Sequence, residues 1–235
     1  MNKKSRLTLL LLTVCFNLFA QIKTVPVNFF NKVIVSPHIE VTFKEGPVEK
    51  VIIKKNTVPL DQLNIKVRNK KLYLYLDGAR RMPKRKGIYK KNVIKAIVFY
   101  KKIVGVTLRG NEIFKFENDI QSKYFKLAVY GESKVYIDKL NLEKLKVSMY
   151  GNSFLEIKSG NIKNQKISSY GNSEINLYKV ENKETSISAF GRGNVKCKVN
   201  DLLKITAFGN TRITYKGNPV VKKRIEIGDN RIEKF

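Results

Sequence analysis

The chain has 235 residues, with 47 Lys and Arg against 19 Asp and Glu for a formal net charge of +28, one His and two Cys. That length suits one ordinary domain or one short solenoid. A single histidine and so few cysteines exclude a multi-histidine catalytic centre, a soft-metal site and a disulfide scaffold, and no pattern in the residues calls for a cofactor.

The amino end reads as a secretory signal over residues 1–20. Lys3, Lys4 and Arg6 precede an apolar run from Leu7 to Leu12 that continues through Val14, Cys15 and Phe16 to Ala20. The run is too short to span a bilayer comfortably and sits behind a basic start, so cleavage is expected near Ala20 or Gln21. Lipid attachment at Cys15 is the competing reading, opposed by Val14 where lipoprotein processing takes a small residue. No later segment approaches the ~20 apolar residues of a membrane span.

Loss of Lys3, Lys4 and Arg6 lowers the charge from +28 to +25 and leaves Cys197 as the one cysteine. Its repeat position is otherwise Ile, Leu or Tyr, which predicts a buried apolar role. An excess of positive charge attracts polyanions over a Debye length of roughly 8 Å. A genome that favours lysine codons is the bland explanation. Export points to acidic glycans or lipopolysaccharide phosphates as partners and away from nucleic acid.

From residue 21 to 103 the pattern predicts short alternating strands. Val33-Ile34-Val35 and Ile39 to Phe43 are followed, after the Gly46-Pro47 turn, by Val51-Ile52-Ile53. Leu63, Ile65 and Val67 alternate with polar residues, and Leu72, Leu74 and Leu76 do so after the Asn69-Lys70 turn, a hairpin signal. Residues 79–92 break the pattern with Arg80, Arg81, Lys84, Arg85, Lys86, Lys90 and Lys91 around Pro83 and Gly87 and read as a solvated basic loop. These side chains are candidates for gripping phosphate or uronate groups.

From residue 104 to 235 a glycine recurs at Gly110, Gly131, Gly151, Gly171, Gly191, Gly209 and Gly228, at intervals of 18 to 21 residues. A period of about 20 residues is the mark of stacked β-coils, each of which needs neighbours to bury its apolar face. Four residues before the glycine stand Val106, Leu127, Val147, Ile167, Ile187 and Ile205; four after it stand Phe114, Val135, Leu155, Ile175, Val195 and Ile213. Apolar residues at even offsets on both sides predict two strands per coil facing one core, with the glycine at the corner between them. The last unit, at Gly228, has its apolar register slipped by one, as a terminal capping coil does. The fold class is therefore all-β, a solenoid preceded by a shorter-strand region.

On its export signal, N-terminal strand region, glycine corners and the passage Ile213-Thr214-Tyr215-Lys216-Gly217-Asn218-Pro219, the chain resembles the putative auto-transporter adhesin, head GIN domain family of Bacteroidetes. The resemblance implies a right-handed β-helix over nearly all of residues 22–235 and supplies no catalytic residues. It also implies a small residue before each corner glycine, whereas this chain carries Tyr130, Tyr150, Tyr170, Phe190 and Phe208 there.

With even offsets inward, those five aromatics point outward as a ladder. Ser148, Ser168, Ser188 and Thr206 lie two residues earlier on the same face, and Asn152, Asn172 and Asn210 lie just past the corner. Flat rings edged with hydroxyls and amides suit sugar rings, which makes the ladder a candidate glycan ridge; mutual stabilisation of adjacent rings is the structural alternative. An enzymatic reading rests on Glu117 and Asp138, which share one offset in neighbouring coils and would suit glycoside chemistry at close range. That row continues as Lys158, Tyr178, Lys198 and Lys216, and His38 stands alone. The residues therefore point to an exported, non-enzymatic protein that binds an envelope or extracellular glycan. A structural protein docked on another envelope protein is the alternative, and a polysaccharide-active enzyme the third.

Overall fold

The computed structural model describes residues 22–79, 89 and 94–235. The expected signal, with Cys15, and the basic side chains Arg80, Arg81, Lys84, Arg85, Lys86, Lys90 and Lys91 lie outside the described residues. Nearly everything described is strand, with one short 3-10 turn at Leu60–Gln62. Among the described residues no helix is long and apolar enough to cross a membrane.

Successive coils pair in parallel at the register the glycine alignment predicts. Val147 lies beside Leu127 and Ile167, Leu155 beside Val135 and Ile175, and each corner glycine beside the one in the coil below. Val135, Val147, Leu155, Ile167, Ile175, Ile187, Val195, Ile205 and Ile213 are almost wholly buried. Each burial removes apolar surface from water on the order of a kilocalorie or more per side chain, and the stack shares one interior. Cys197 joins it, unpaired and buried, and burial pushes its thiol up to about 12.

The corner glycines adopt φ between 96° and 122°. At Gly171 an added Cβ would stand 2.8 Å from the carbonyl oxygen of Gly151, so both the backbone angle and the coil below exclude a side chain. That carbonyl is occupied twice: the Asn172 N–H donates to it at 3.2 Å and the Ser173 hydroxyl at 3.1 Å. Ser133, Ser153 and Thr211 repeat the hydroxyl contact in their own coils. In the first glycine-cornered coil Glu112 takes that place, its carboxylate accepting the N–H groups of His38 and Asn111 at 2.8 Å each. Burial raises the Glu112 carboxyl pKa, and those N–H groups oppose the shift.

Two features depart from the sequence pattern. Each full coil has a third short side besides the two expected strands: Leu140 pairs with Gly160 and Gly160 with Val180, while Leu142 pairs with Ile162 and Ile162 with Asn182. Asn182 is buried there and satisfied, donating to the Ile162 carbonyl and accepting from the Thr185 hydroxyl, so polarity hides this inward column.

Secondly, the strands before residue 103 are coils of the same stack. Lys32–Val35 lies in parallel between Lys71–Leu76 and Gly105–Gly110. Ile39–Glu45 lies in parallel between Ile94–Tyr100 and the strand that begins at Ile113. The Gly46-Pro47 turn therefore joins strands that are not partners, because Ile94–Tyr100 sits between them and pairs antiparallel with Lys50–Asn56. The Asn69-Lys70 hairpin forms as expected, with both residues at positive φ. Antiparallel strands close this end of the stack, and the core runs unbroken from Phe30 to Ile213. At the other end Val220–Gly228 is exposed outward with a register shift after Ile205, while Val221 and Ile232 pack against the core.

Candidate functional site

The sheet that leads into the corner glycines carries the candidate residues. Its inward positions are filled by the core, so its outward positions form straight columns, one residue per coil. The aromatic column is continuous: Tyr130, Tyr150, Tyr170, Phe190 and Phe208 stack with centroids 4.7, 4.9, 5.0 and 5.1 Å apart and planes within 7° of parallel. Arg109 lies over the free face of Tyr130, with its guanidinium carbon 5.9 Å from the centroid.

This geometry alters what the ladder offers. A ring spacing equal to the coil rise leaves no room for a sugar ring between neighbours, so stacking on an interior ring face is closed. The accessible parts are ring edges and the phenol groups of Tyr130, Tyr150 and Tyr170; Tyr150 is 36% exposed and Tyr170 39%. The stack raises the Tyr150 phenol pKa, chiefly through desolvation, with Tyr130 and Tyr170 adding to it.

The next outward column is Ala128, Ser148, Ser168, Ser188 and Thr206. Ser148 and Ser168 are only 7% and 9% exposed, because short side chains sit between columns of longer ones; Ser188 and Thr206 are half-buried. Asn152, Asn172 and Asn210 are exposed just past the corner, and Asn210 lines a small cleft with Arg212, Asp229, Asn230 and Arg231.

The sheet that leaves the corners is different in kind. Its outward positions mix signs, and several are paired: Lys158 with Asp138 at 2.7 Å, Lys139 with Asp119 at 2.7 Å and Lys44 with Glu117 at 2.7 Å, while Lys198 reaches Glu181 on the third side. Glu117 and Asp138 do share a surface groove, of about 660 Å³, with Glu156, Tyr136 and Lys115. Each of the two carboxylates is held by a lysine. His38 lies elsewhere, in the first coil, with its ring 5.4 Å from that of Tyr89. Among the described residues no group of three or more His, Cys, Asp or Glu is arranged to hold a metal.

The sequence model of the family described as putative auto-transporter adhesin, head GIN domain matches residues 29–219. The chain belongs to that family. Among solved structures, a putative adhesin from Bacteroides fragilis superposes with a TM-score of 0.77 at 18% identity, covering 92% of this chain and 96% of its own. A putative adhesin from Parabacteroides distasonis gives 0.70 at 18% identity, with 92% and 96% coverage. A putative lipid binding protein from the same species gives 0.66 at 16% identity, also with 92% and 96% coverage. At such identities the likeness establishes that the GIN-domain fold is shared. No curated protein is a significant sequence relative.

Proposed function

We propose that this GIN-domain protein is an exported, non-enzymatic binding protein of the cell envelope that contacts polymeric glycan through the outward face leading into the corner glycines. The supporting observation is the five-ring ladder, which sets three phenol hydroxyls in line at one coil rise and leaves its edges in solvent. A repeated row of donors and acceptors beside apolar edges suits a polymer whose own groups repeat. Membership of an adhesin family supports a binding role.

Docking onto another envelope protein is the second reading. It is favoured by Val220, Ile225 and Ile227, which are exposed on the last coil, Ile227 continuing the aromatic column. The two readings separate in one experiment: screening residues 22–235 against envelope glycans, with the Tyr150→Ser/Tyr170→Ser double variant beside it. Glycan binding that weakens at least fivefold in the folded double variant supports the first reading. Retention of glycan unchanged by the double substitution leaves the ladder a structural element only, and absence of glycan binding overturns the reading.

A further inference from the structure

The outward column five residues before the corner glycine is a ladder of lysines that runs the whole length of the stack. Following the pairing register from coil to coil, the positions are Lys71, Lys32, Gly105, Lys126, Lys146, Lys166, Ser186, Lys204 and Lys222. Lys and Arg are 47 of 235 residues, so nine positions drawn at random would hold about two, and this column holds seven. Lysine-rich composition therefore does not account for it.

Each of these lysines is exposed or half-buried, and among the described residues none has a carboxylate within ion-pair distance. Like charges directly opposite one another on neighbouring strands are destabilising. On the opposite sheet several lysines are relieved by a carboxylate of a neighbouring coil, Lys44 by Glu117 and Lys158 by Asp138. Among the described residues the lysine column has no such relief. Its neighbour on one side is the hydroxyl column with the aromatics beyond; on the other side stand Tyr124, Lys144, Asn164, Glu184 and Leu202, with one acid among them.

Gly105 provides a second, independent observation. Unlike the corner glycines it has no positive φ, and an added Cβ would meet only ordinary contacts, 3.6 Å from the Lys126 carbonyl oxygen and 3.7 Å from Cγ of Lys32. Neither backbone nor packing requires glycine here. What the absent side chain does is open a groove of about 330 Å³ bordered by Lys32, Lys71, Lys126, Thr107 and Tyr124.

Building on the glycan-binding reading, we propose that this ladder binds a linear acidic polysaccharide laid along the stack, with about one anionic sugar per coil and one sugar seated in the Gly105 groove. The rung spacing, seen in ring centroids 4.7 to 5.1 Å apart, is close to the advance of one pyranose unit in an extended chain. A polymer with one carboxylate per sugar then meets one ammonium per coil. The match is to a line of charge one side chain wide, which a planar anionic membrane would not need.

The test measures binding of residues 22–235 to polygalacturonate, to its carboxyl-reduced neutral form and to anionic phospholipid vesicles, at two salt concentrations. The wild type is expected to bind the acidic polymer at least tenfold more tightly than the reduced one. Lys126→Ser/Lys146→Ser/Lys166→Ser, which copies the natural Ser186, should lose at least tenfold and make the logarithmic salt dependence shallower by roughly two to three. Gly105→Gln should weaken binding severalfold with no change of charge, and Lys139→Ser/Lys158→Ser/Lys198→Ser on the opposite sheet should cost less than twofold. Thermal unfolding confirms that each variant is folded, and the corresponding Lys→Arg triple should keep affinity.

Equal loss in the two serine triples would reduce the effect to overall charge and overturn the proposal, as would unchanged binding by Gly105→Gln together with the ladder triple. Tighter, ladder-dependent binding to vesicles would assign the column to a membrane surface instead. Equal binding of both polymers overturns the ladder while leaving the aromatic-edge reading standing. Acidic-polymer binding that survives Tyr150→Ser/Tyr170→Ser unchanged does the reverse. Binding of neither polymer overturns the ladder.

Discussion

The two long sides of each coil use the same 20-residue repeat to opposite ends. The side leading into the corner repeats identical chemistry from coil to coil, aromatic on aromatic and lysine on lysine. The side leaving it mixes signs, and several of its lysines are paired with an aspartate or glutamate of a neighbouring coil. A parallel stack places like positions about 4.8 Å apart, so whatever is repeated is amplified into a ladder and whatever is alternated is cancelled. Aromatic repetition stabilises the stack by itself. Lysine repetition does not, and that asymmetry is what the proposed lysine ladder rests on.

The corner between the two sides bears the largest expected effect. Gly151→Ala places a Cβ against the Gly131 carbonyl at a φ of 110°, and should cost about 3 kcal/mol in urea unfolding. A loss under 0.5 kcal/mol, within the scatter of ordinary surface changes, would show that the corner yields and that the columns on either side are not rigidly in register.

Next, Tyr150→Ser/Tyr170→Ser breaks three stacked contacts among Tyr130, Tyr150, Tyr170 and Phe190, each worth roughly the lower half of 0.5 to 1.5 kcal/mol because the rings are partly exposed, for a total near 2 kcal/mol. Tyr136→Ser on the other side loses one tilted contact with Phe154 and should cost about 1 kcal/mol or less. Equal losses would erase the distinction between an ordered ladder and an ordinary surface.

Alkaline pH probes both sides, through Tyr150 on the first and Tyr100 on the second. The Tyr150 phenol is raised by desolvation and by its tyrosine neighbours, and Tyr100 by burial and then by Glu45. A raised folded-state value keeps the phenol neutral. The associated stability is fully present below the unfolded tyrosine value of about 10 and is lost as pH climbs through the folded value. The melting temperature should fall above about pH 10, and Tyr150→Phe should make that fall shallower. A melting curve flat to pH 12 would contradict the stacked, partly desolvated phenol.

The smallest effects concern charge. Asp138→Asn removes an exposed ion pair to Lys158 and should change stability by less than about 1 kcal/mol. Lys146→Ser, taken from the middle of the lysine ladder, should stabilise by a few tenths of a kcal/mol at low salt, vanishing at high salt as screening removes the repulsion. Destabilisation by the lysine change would mean that the column is internally compensated.

Much of this is legible in the amino-acid sequence. The corner glycines, the apolar offsets and the outward placement of Tyr150 and Tyr170 follow from alternation about a fixed period. So did the hairpin at Asn69-Lys70, since turn chemistry is local. Ser133, Ser153 and Ser173 stand two residues past the glycine in plain view, but their role as donors to a corner carbonyl appears only when coils are stacked. The third side of the coil is hidden in the sequence because a buried Asn182 interrupts its apolar column. Lys126, Lys146, Lys166 and Lys204 could have been read off the glycine alignment; Lys32 and Lys71 could not.

The sequence by itself determined the repeat, the corners and which side chains face inward, because these depend on local backbone preference and on a period short enough to see in one chain. The tertiary structure decided that Lys32–Val35 lies between Lys71–Leu76 and Gly105–Gly110, and Ile39–Glu45 between Ile94–Tyr100 and the strand that begins at Ile113. That order depends on which edges meet in space, and contacts between Lys32, Lys71 and Gly105 span separations of 39 and 73 residues with no common period. It also closed the ring faces against one another and joined scattered lysines into a single line, since charge repulsion and ring stacking are properties of neighbours in the stack.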